Sequence, residues 1–173
     1  MTAQNKHIGA PEQRREFAAI IVESPQGIVM QHRDNIPTIP GPDQLCLVAG
    51  GMEPEDNGDG LAAALREGSE ELGRELSPDD LQPVMDFTKH AGRHNGDGLI
   101  HVFKLMVDDA AEVEINEGQG AVVVPNVFAL RSLHREGKVM DDSYDILMAH
   151  FLGGPSVRSA FQSNIQPPQQ RAA

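Results

Sequence analysis

A layered domain of strands and helices, α/β/α or α+β, is what this sequence predicts. Short apolar, β-branched runs lie on both sides of one strongly helical segment at residues 61–72, and two further helical segments close the chain. A length of 173 residues suits one well-buried domain and is short for two.

Residues 1–14 are polar and read as a loose tail ahead of a domain spanning 15–152. Phe17 to Glu23 reads as a strand, Ser24-Pro25-Gln26-Gly27 as a turn, and Ile28 to Arg33 as the second strand of a hairpin. Asp34 to Pro42 is a proline-rich loop, and Leu45 to Ala49 reads as a buried strand closed by a Gly50-Gly51 turn. Beyond the central helix, Leu81 to Lys89 and Leu99 to Val107 form a predicted hairpin across Asn95-Gly96-Asp97-Gly98. Ala121 to Val124 is a further strand. Val127 to Leu133 and Ser143 to Leu152 read as helices, the second with Asp141 or Asp142 as its N-cap. Residues 153–173 are rich in Pro, Gln, Ser and Ala and read as a partly disordered tail.

The central helix is written in strong helix formers, Ala62, Ala63, Ala64, Leu65, Arg66, Glu67, Glu70, Glu71 and Leu72. At about 100° per residue Leu61, Leu65 and Leu72 share one stripe, and Glu67, Glu70 and Glu71 gather on the roughly opposite face. Like charges at i and i+4 cost a few tenths of a kcal/mol per pair, so this cluster works against the helix. Alone, three glutamates read first as an acidic solvated surface. Oxygen-only clusters also suit hard divalent cations such as Mg²⁺ or Mn²⁺, which borrow part of their shell from substrate phosphates.

The context of strand, glycines, acidic loop and helix changes that balance. Gly50-Gly51 and the run Arg66-Glu67-Gly68-Ser69-Glu70-Glu71-Leu72-Gly73 resemble the Nudix hydrolase box. Three departures involve four positions. The isolated upstream glutamate of the pattern falls on Gly58, with Asp59, Asp56 and Glu55 as the nearest acids, so Asp59 or Asp56 takes that role. Its first glycine counts back to Met52, one residue past Gly51. Gly68 and Arg74 stand where the family is normally apolar, and a mid-helix glycine costs about 1 kcal/mol against alanine unless close packing on a strand requires it.

The resemblance implies a mixed sheet sandwiched by helices and metal-dependent hydrolysis of a pyrophosphate bond in a nucleoside diphosphate linked to another moiety. Within it, a housecleaning nucleoside triphosphate pyrophosphohydrolase is preferred. The alternatives are an ADP-ribose or nucleotide-sugar hydrolase and a non-catalytic, nucleotide-sensing module. By position in the motif, Glu70 and Glu71 are the main ligands of Mg²⁺ or Mn²⁺, Glu67 a further ligand or the base, and the backbone of Gly50 or Gly51 completes the shell. Arg66 orients a glutamate of the box, or is an ordinary i,i+4 partner of Glu70. Family members recruit an acid from outside the box, for which Glu117 in Asn-Glu-Gly-Gln-Gly is the candidate, since glycines allow close backbone approach.

Arg33 and His32, just ahead of the box, and Lys89 and Arg93, near the predicted hairpin turn with His90 and His94, are candidate substrate contacts. Cys46 lies in an apolar run and reads as core. With no Trp and a single Tyr, Tyr144, a base could stack only on Phe, His or Arg. The formal charge is −12, and Glu53 to Glu75 holds eight acids against two arginines, half of that net. Such a surface disfavours nucleic acid and anionic membranes. One cysteine forms no intrachain disulfide, and no run approaches a membrane span, so the expected place is cytoplasmic. The expected partner is a small nucleotide, and the sequence also allows a homodimer.

Overall fold

The computed structural model describes residues 15–89 and 98–153, apart from the Lys89 side chain. The tails expected at 1–14 and beyond Gly153, and the turn carrying His90, Arg93 and His94, lie outside the described residues. Seven strands form one mixed sheet: β1 Arg15–Ser24, β2 Gly27–His32, β3 Leu45–Cys46, β4 Val48–Gly51, β5 Leu81–Lys89, β6 Gly98–Met106 and β7 Gly120–Val124. Three α-helices cover it: α1 Gly60–Glu71, α2 Val127–Arg135 and α3 Asp141–Phe151. The strands run β3-β2-β1-β6-β5, with β4 also on β1 and β7 on β2. Among the described strands only the β1–β6 pair is parallel. The expected α/β class and helix–sheet–helix layering are what the chain adopts.

β1 is the shared wall. Side chains alternate across a strand, so Ala18, Ile20 and Val22 enter the core under α1 with Ala63, Ala64 and Leu72. Ala19 and Ile21 enter the opposite core, with Leu130 of α2 and Ile146 and Leu147 of α3. A strand buried on both faces reads as a continuous apolar run, which is how it is written.

α1 meets the sheet through small residues. Ala63, Ala64, Gly68 and Glu71 form its buried positions, while Leu61 and Leu65, expected to define the buried stripe, are only partly covered. A Cβ on Gly68 would stand 2.6 Å from Ile20 Cδ1 and 2.7 Å from Leu76 Cδ1. That close approach explains the glycine and turns one glutamate toward the sheet.

The run Leu45–Ala49 is two strands. The amide of Leu47 donates to Ser143 Oγ at 3.1 Å rather than to a neighbouring strand, and around it β3 pairs with β2 and β4 with β1. Gly50 and Gly51 are not a turn: they continue β4, opposite Ala18 and Phe17. At α3 the N-cap is Met140, with Asp141 and Asp142 inside the first turn, where carboxylates face the positive end of the helix dipole. α2 is capped by Asn126, whose Oδ1 accepts from the amides of Phe128 and Ala129, both at 3.0 Å.

Gly68→Val should destabilise the fold by about 1–3 kcal/mol through overpacking. Gly68→Ala should cost less, because helix propensity returns about 1 kcal/mol. Urea denaturation measures both; a Val variant as stable as wild type would mean α1 is not seated this closely.

Candidate active site

Arg66 holds the site together from the solvent side of α1. Its Nε and Nη2 donate to Asp56 Oδ1 and Oδ2 at 3.2 and 2.9 Å, its Nη2 also to the Gly51 carbonyl at 2.9 Å, and its Nη1 to Glu67 Oε1 at 2.8 Å. A planar guanidinium supplies this fork of donors, which lysine does not. Asp56 ends the 3₁₀ turn Pro54–Asp56, is buried, and accepts the Glu53 amide at 2.7 Å. The Arg66 guanidinium holds the Asp56 carboxyl below its ordinary range, and the pairing in turn raises Arg66. Asp59 is occupied otherwise: it N-caps α1, its Oδ1 accepting from Leu61 N at 2.9 Å. Between the two candidates for the upstream acid, the geometry therefore puts Asp56 beside the box.

The three glutamates of the helix do not share one face. Glu67 lies over β4, where a Cβ on Gly50 would overlap its carboxyl. Glu71 is buried, 5% exposed, against the sheet. Glu70 points outward, its side chain 64% exposed and 3.9 Å from Arg66 Nη1. A 100° step between consecutive residues separates Glu70 from Glu71 once α1 is seated through its small residues.

Burial pushes the Glu71 carboxyl up to about 8, with the charges of Glu117 and Glu67 adding to the effect and the Ala49 amide and Arg33 opposing it. Its Oε2 is a buried oxygen with no hydrogen-bond partner. A buried carboxylate oxygen with no hydrogen-bond partner is the donor chemistry a hard divalent cation requires. Among the described residues no three of His, Cys, Asp and Glu already close on one point as a finished cage. Partial protein ligation of this sort suits Mg²⁺, which keeps waters and takes phosphate oxygens. Of the expected backbone ligands, Gly51 has its carbonyl engaged by Arg66, and Gly50 is paired with Ala18 in the sheet.

Next to Gly50 and Gly51 opens a cavity of about 200 Å³ walled by Phe17, Ala19, Leu47, Ile100, Met140 and Ile146. Arg33 lines it, anchored by its Nε to the Pro40 carbonyl at 2.8 Å. His32 does not line it; its ring meets Asp43 Oδ1 at 3.0 Å. Arg93 and the Lys89 side chain lie outside the described residues. Cys46 is a core residue as expected: its thiol donates to Gln31 Oε1 at 3.1 Å, and burial raises it to about 11.

Sequence reasoning missed Asn116, whose amide donates to the Glu71 carbonyl at 2.7 Å. The only signal was its place before Glu117 in a glycine-bearing loop.

A family model described as NUDIX domain matches residues 12–147. The fold is shared with a bifunctional NMN adenylyltransferase/ADP-ribose pyrophosphatase from Francisella tularensis, crystallised with AMP and manganese. That match has a TM-score of 0.61 and 20% identity, covering 80% of this chain and 42% of that one. A NUDIX hydrolase from Alicyclobacillus acidocaldarius matches with a TM-score of 0.62 and 15% identity, covering 92% and 100%. The NUDIX domain of Shewanella oneidensis NrtR, crystallised with ADP-ribose, gives 0.58 and 10%, covering 79% and 86%. The chain spans under half the length of the Francisella protein and of a MutT/nudix family protein from Enterococcus faecalis, at 42% and 45%. No curated protein matches it.

Folding raises the Glu71 carboxyl above its ordinary 4.5, so the folded chain holds that proton more tightly than the unfolded one. This contribution to metal-free stability is fullest below pH 4.5 and is lost as pH rises toward about 8. Melting temperatures across that window should fall with pH, Glu71→Gln should flatten the slope, and millimolar Mg²⁺ should offset it at the alkaline end. A wild-type slope unchanged in Glu71→Gln would refute the burial argument. The two acids of the loop should also separate: Asp59→Ala should cost about 1 kcal/mol of cap energy and leave Mn²⁺ affinity intact. Asp56→Ala should lower both the melting temperature and Mn²⁺ affinity, because it frees Arg66 from the box.

Proposed function

Because the chain belongs to the Nudix family, we propose that it hydrolyses a pyrophosphate bond in a nucleoside diphosphate linked to another group. A nucleoside triphosphate is the preferred substrate, and ADP-ribose or a nucleotide sugar the alternative. The observation that carries this reading is the orphaned, buried oxygen of Glu71 on the helix whose Glu67 lies over Gly50. Glu67 and Glu71, with the backbone of Gly50 or Gly51, would hold Mg²⁺ or Mn²⁺, with Glu117 from the 116–119 loop and Glu70 at the rim. Bound there, the cation supplies neutralisation of phosphate charge and acidification of water.

The chain's own groups supply position. Arg66 fixes the Glu67 carboxylate through one oxygen at 2.8 Å, leaving the other to the cleft. Water attacks one phosphorus as the bridging phosphorus–oxygen bond breaks, and its proton passes to a carboxylate of the Glu67, Glu71 and Glu117 set. The cavity seats the base against Phe17, Ile100 and Ile146, while Arg33 at its edge meets phosphate. The triphosphate preference rests on the compact single-domain length of the chain. The Asp56–Arg66 pair argues against a non-catalytic sensor, since it supplies what Gly58 lacks. A cytoplasmic location belongs to the same proposal, with Cys46 a free buried thiol. Among the described residues no helix is long and apolar enough to cross a membrane.

A panel of nucleoside triphosphates, ADP-ribose and nucleotide sugars, assayed with Mg²⁺ and Mn²⁺ for monophosphate, phosphate and pyrophosphate, tests the reading. Glu67→Gln and Glu71→Gln should each lower kcat by at least about 100-fold with the fold intact, and Glu70→Gln should lower it less. Near-normal turnover in both of the first two variants would sink the mechanism. Nucleotide binding without any product would favour the sensor, and activity confined to ADP-ribose would overturn the substrate preference.

A further inference from the structure

The core opposite α1 is covered by α2 and α3, and these two helices border a second cavity, of about 440 Å³, lined by Phe128, Arg131, Ser132, Arg135 and Tyr144. It shares no lining residue with the cavity beside Gly50 and Gly51. Helical spacing builds most of it: Phe128, Arg131 and Arg135 stand three and four residues apart on α2, so their side chains rise from one face. Phe128 is 78% exposed, and both arginines are exposed with it.

In a chain of formal charge −12, the nine residues of α2 carry two arginines and no acid. Glu136 and Asp141, which follow the helix, are engaged with Lys138 and His134, each at 2.9 Å. Among the described residues neither guanidinium has a hydrogen bond or an ion pair. The negative end of the helix dipole accounts for Arg135 in the last turn but not for Arg131 one turn earlier, which repels it. The aromatic wall is fixed in advance. His134 stacks on Tyr144 with ring centroids 3.7 Å apart and planes 7° from parallel, and Asp141 Oδ1 holds the His134 ring at 2.9 Å. A ring already held in place has little freedom left to lose when a ligand binds.

We propose that this cavity is a second ligand site, for a mononucleotide bound without a metal ion, its phosphate on Arg131 and Arg135 and its base against Phe128 and Tyr144. Two unpaired guanidinium forks match the several oxygens and double charge of a phosphate. The aromatic side chains beside them call for a flat ring on the same molecule. Inorganic phosphate answers only the first requirement and a nucleoside only the second, whereas a mononucleotide spans both in a cavity of small-molecule size. The contrast with α1 is one of charge. A phosphate reaching its carboxylates needs a cation between them, while on α2 the protein supplies the positive charge itself.

Calorimetric titration of the full chain with AMP, in EDTA at low salt, tests it. AMP should bind at a single site, and adenosine and inorganic phosphate should each bind at least about tenfold more weakly. Arg131→Gln and Arg135→Gln should each weaken AMP binding by about tenfold, and Phe128→Ala by about fivefold through lost stacking. All three positions are exposed, so the variants should melt as the wild type does. Glu67→Gln and Glu71→Gln should bind AMP in EDTA with wild-type affinity. No AMP binding in EDTA, wild-type affinity in both arginine variants, or phosphate binding as tightly as AMP would overturn the proposal. Loss of AMP binding in Glu67→Gln would overturn it too, by putting the nucleotide among the carboxylates of α1. Turnover on the nucleotide panel keeps the two claims apart. A chain that hydrolyses nothing yet shows this AMP binding keeps the second site and removes the enzyme; hydrolysis without AMP binding in EDTA removes only the second site.

Discussion

The fork of Arg66 is the interaction on which the site depends. One guanidinium joins the loop after β4 through Asp56, the end of β4 through the Gly51 carbonyl, and its own helix through Glu67. Remove it and three segments lose their common partner, while Glu67 lies over Gly50 with nothing to set its direction. Lysine would bring the charge without the geometry, since a compact ammonium cannot address three acceptors in one plane. The acidic loop with an inserted residue is tolerated for the same reason: the constraint is where a carboxylate ends up, not which position in the chain supplies it.

A site of this kind costs stability where it works. Glu71 is buried without enough hydrogen bonds for its charge, next to acids that oppose its ionisation. Groups perturbed by burial and like charge tend to cluster at functional sites, because the ligand that relieves them is the one the site is built to bind. The surrounding fold has to over-determine the position to keep it. Here that comes from the small-residue seat of α1 on β1 and from Asn116 holding the helix's last turn.

β1 carries the two halves of the reaction zone to each other. Its Ala18, Ile20 and Val22 support α1 and the carboxylates, and its Phe17 and Ala19 wall the apolar cavity. Antiparallel β4 places Gly50 opposite Ala18, so the glycines lie between the acids on one face and the cavity beside them. Having no side chain, Gly50 lets Glu67 descend onto the strand. The metal chemistry and the base pocket are therefore two faces of a single strand pair.

Much of this was legible in residues. Helix formers from Ala62 to Leu72, the spacing of Arg66 to Gly73, and alternation or continuous apolarity in the strands gave the class, the box and the outline of the layers, because period and propensity are local. Gly68 was legible as a sign of close packing, though not of the partner, Ile20. What tertiary structure decided is which carboxylate faces where. Glu71 turned inward and Glu70 outward because the buried face of α1 is chosen by the small residues that fit β1, whereas a leucine stripe alone pointed elsewhere. Asp56 rather than Asp59 met Arg66 because the 3₁₀ turn aims one acid at the guanidinium and leaves the other to cap the helix. Asn116 left almost no trace, since a cap that joins residues 45 apart in the chain exists only once the loop and the helix end have been folded together.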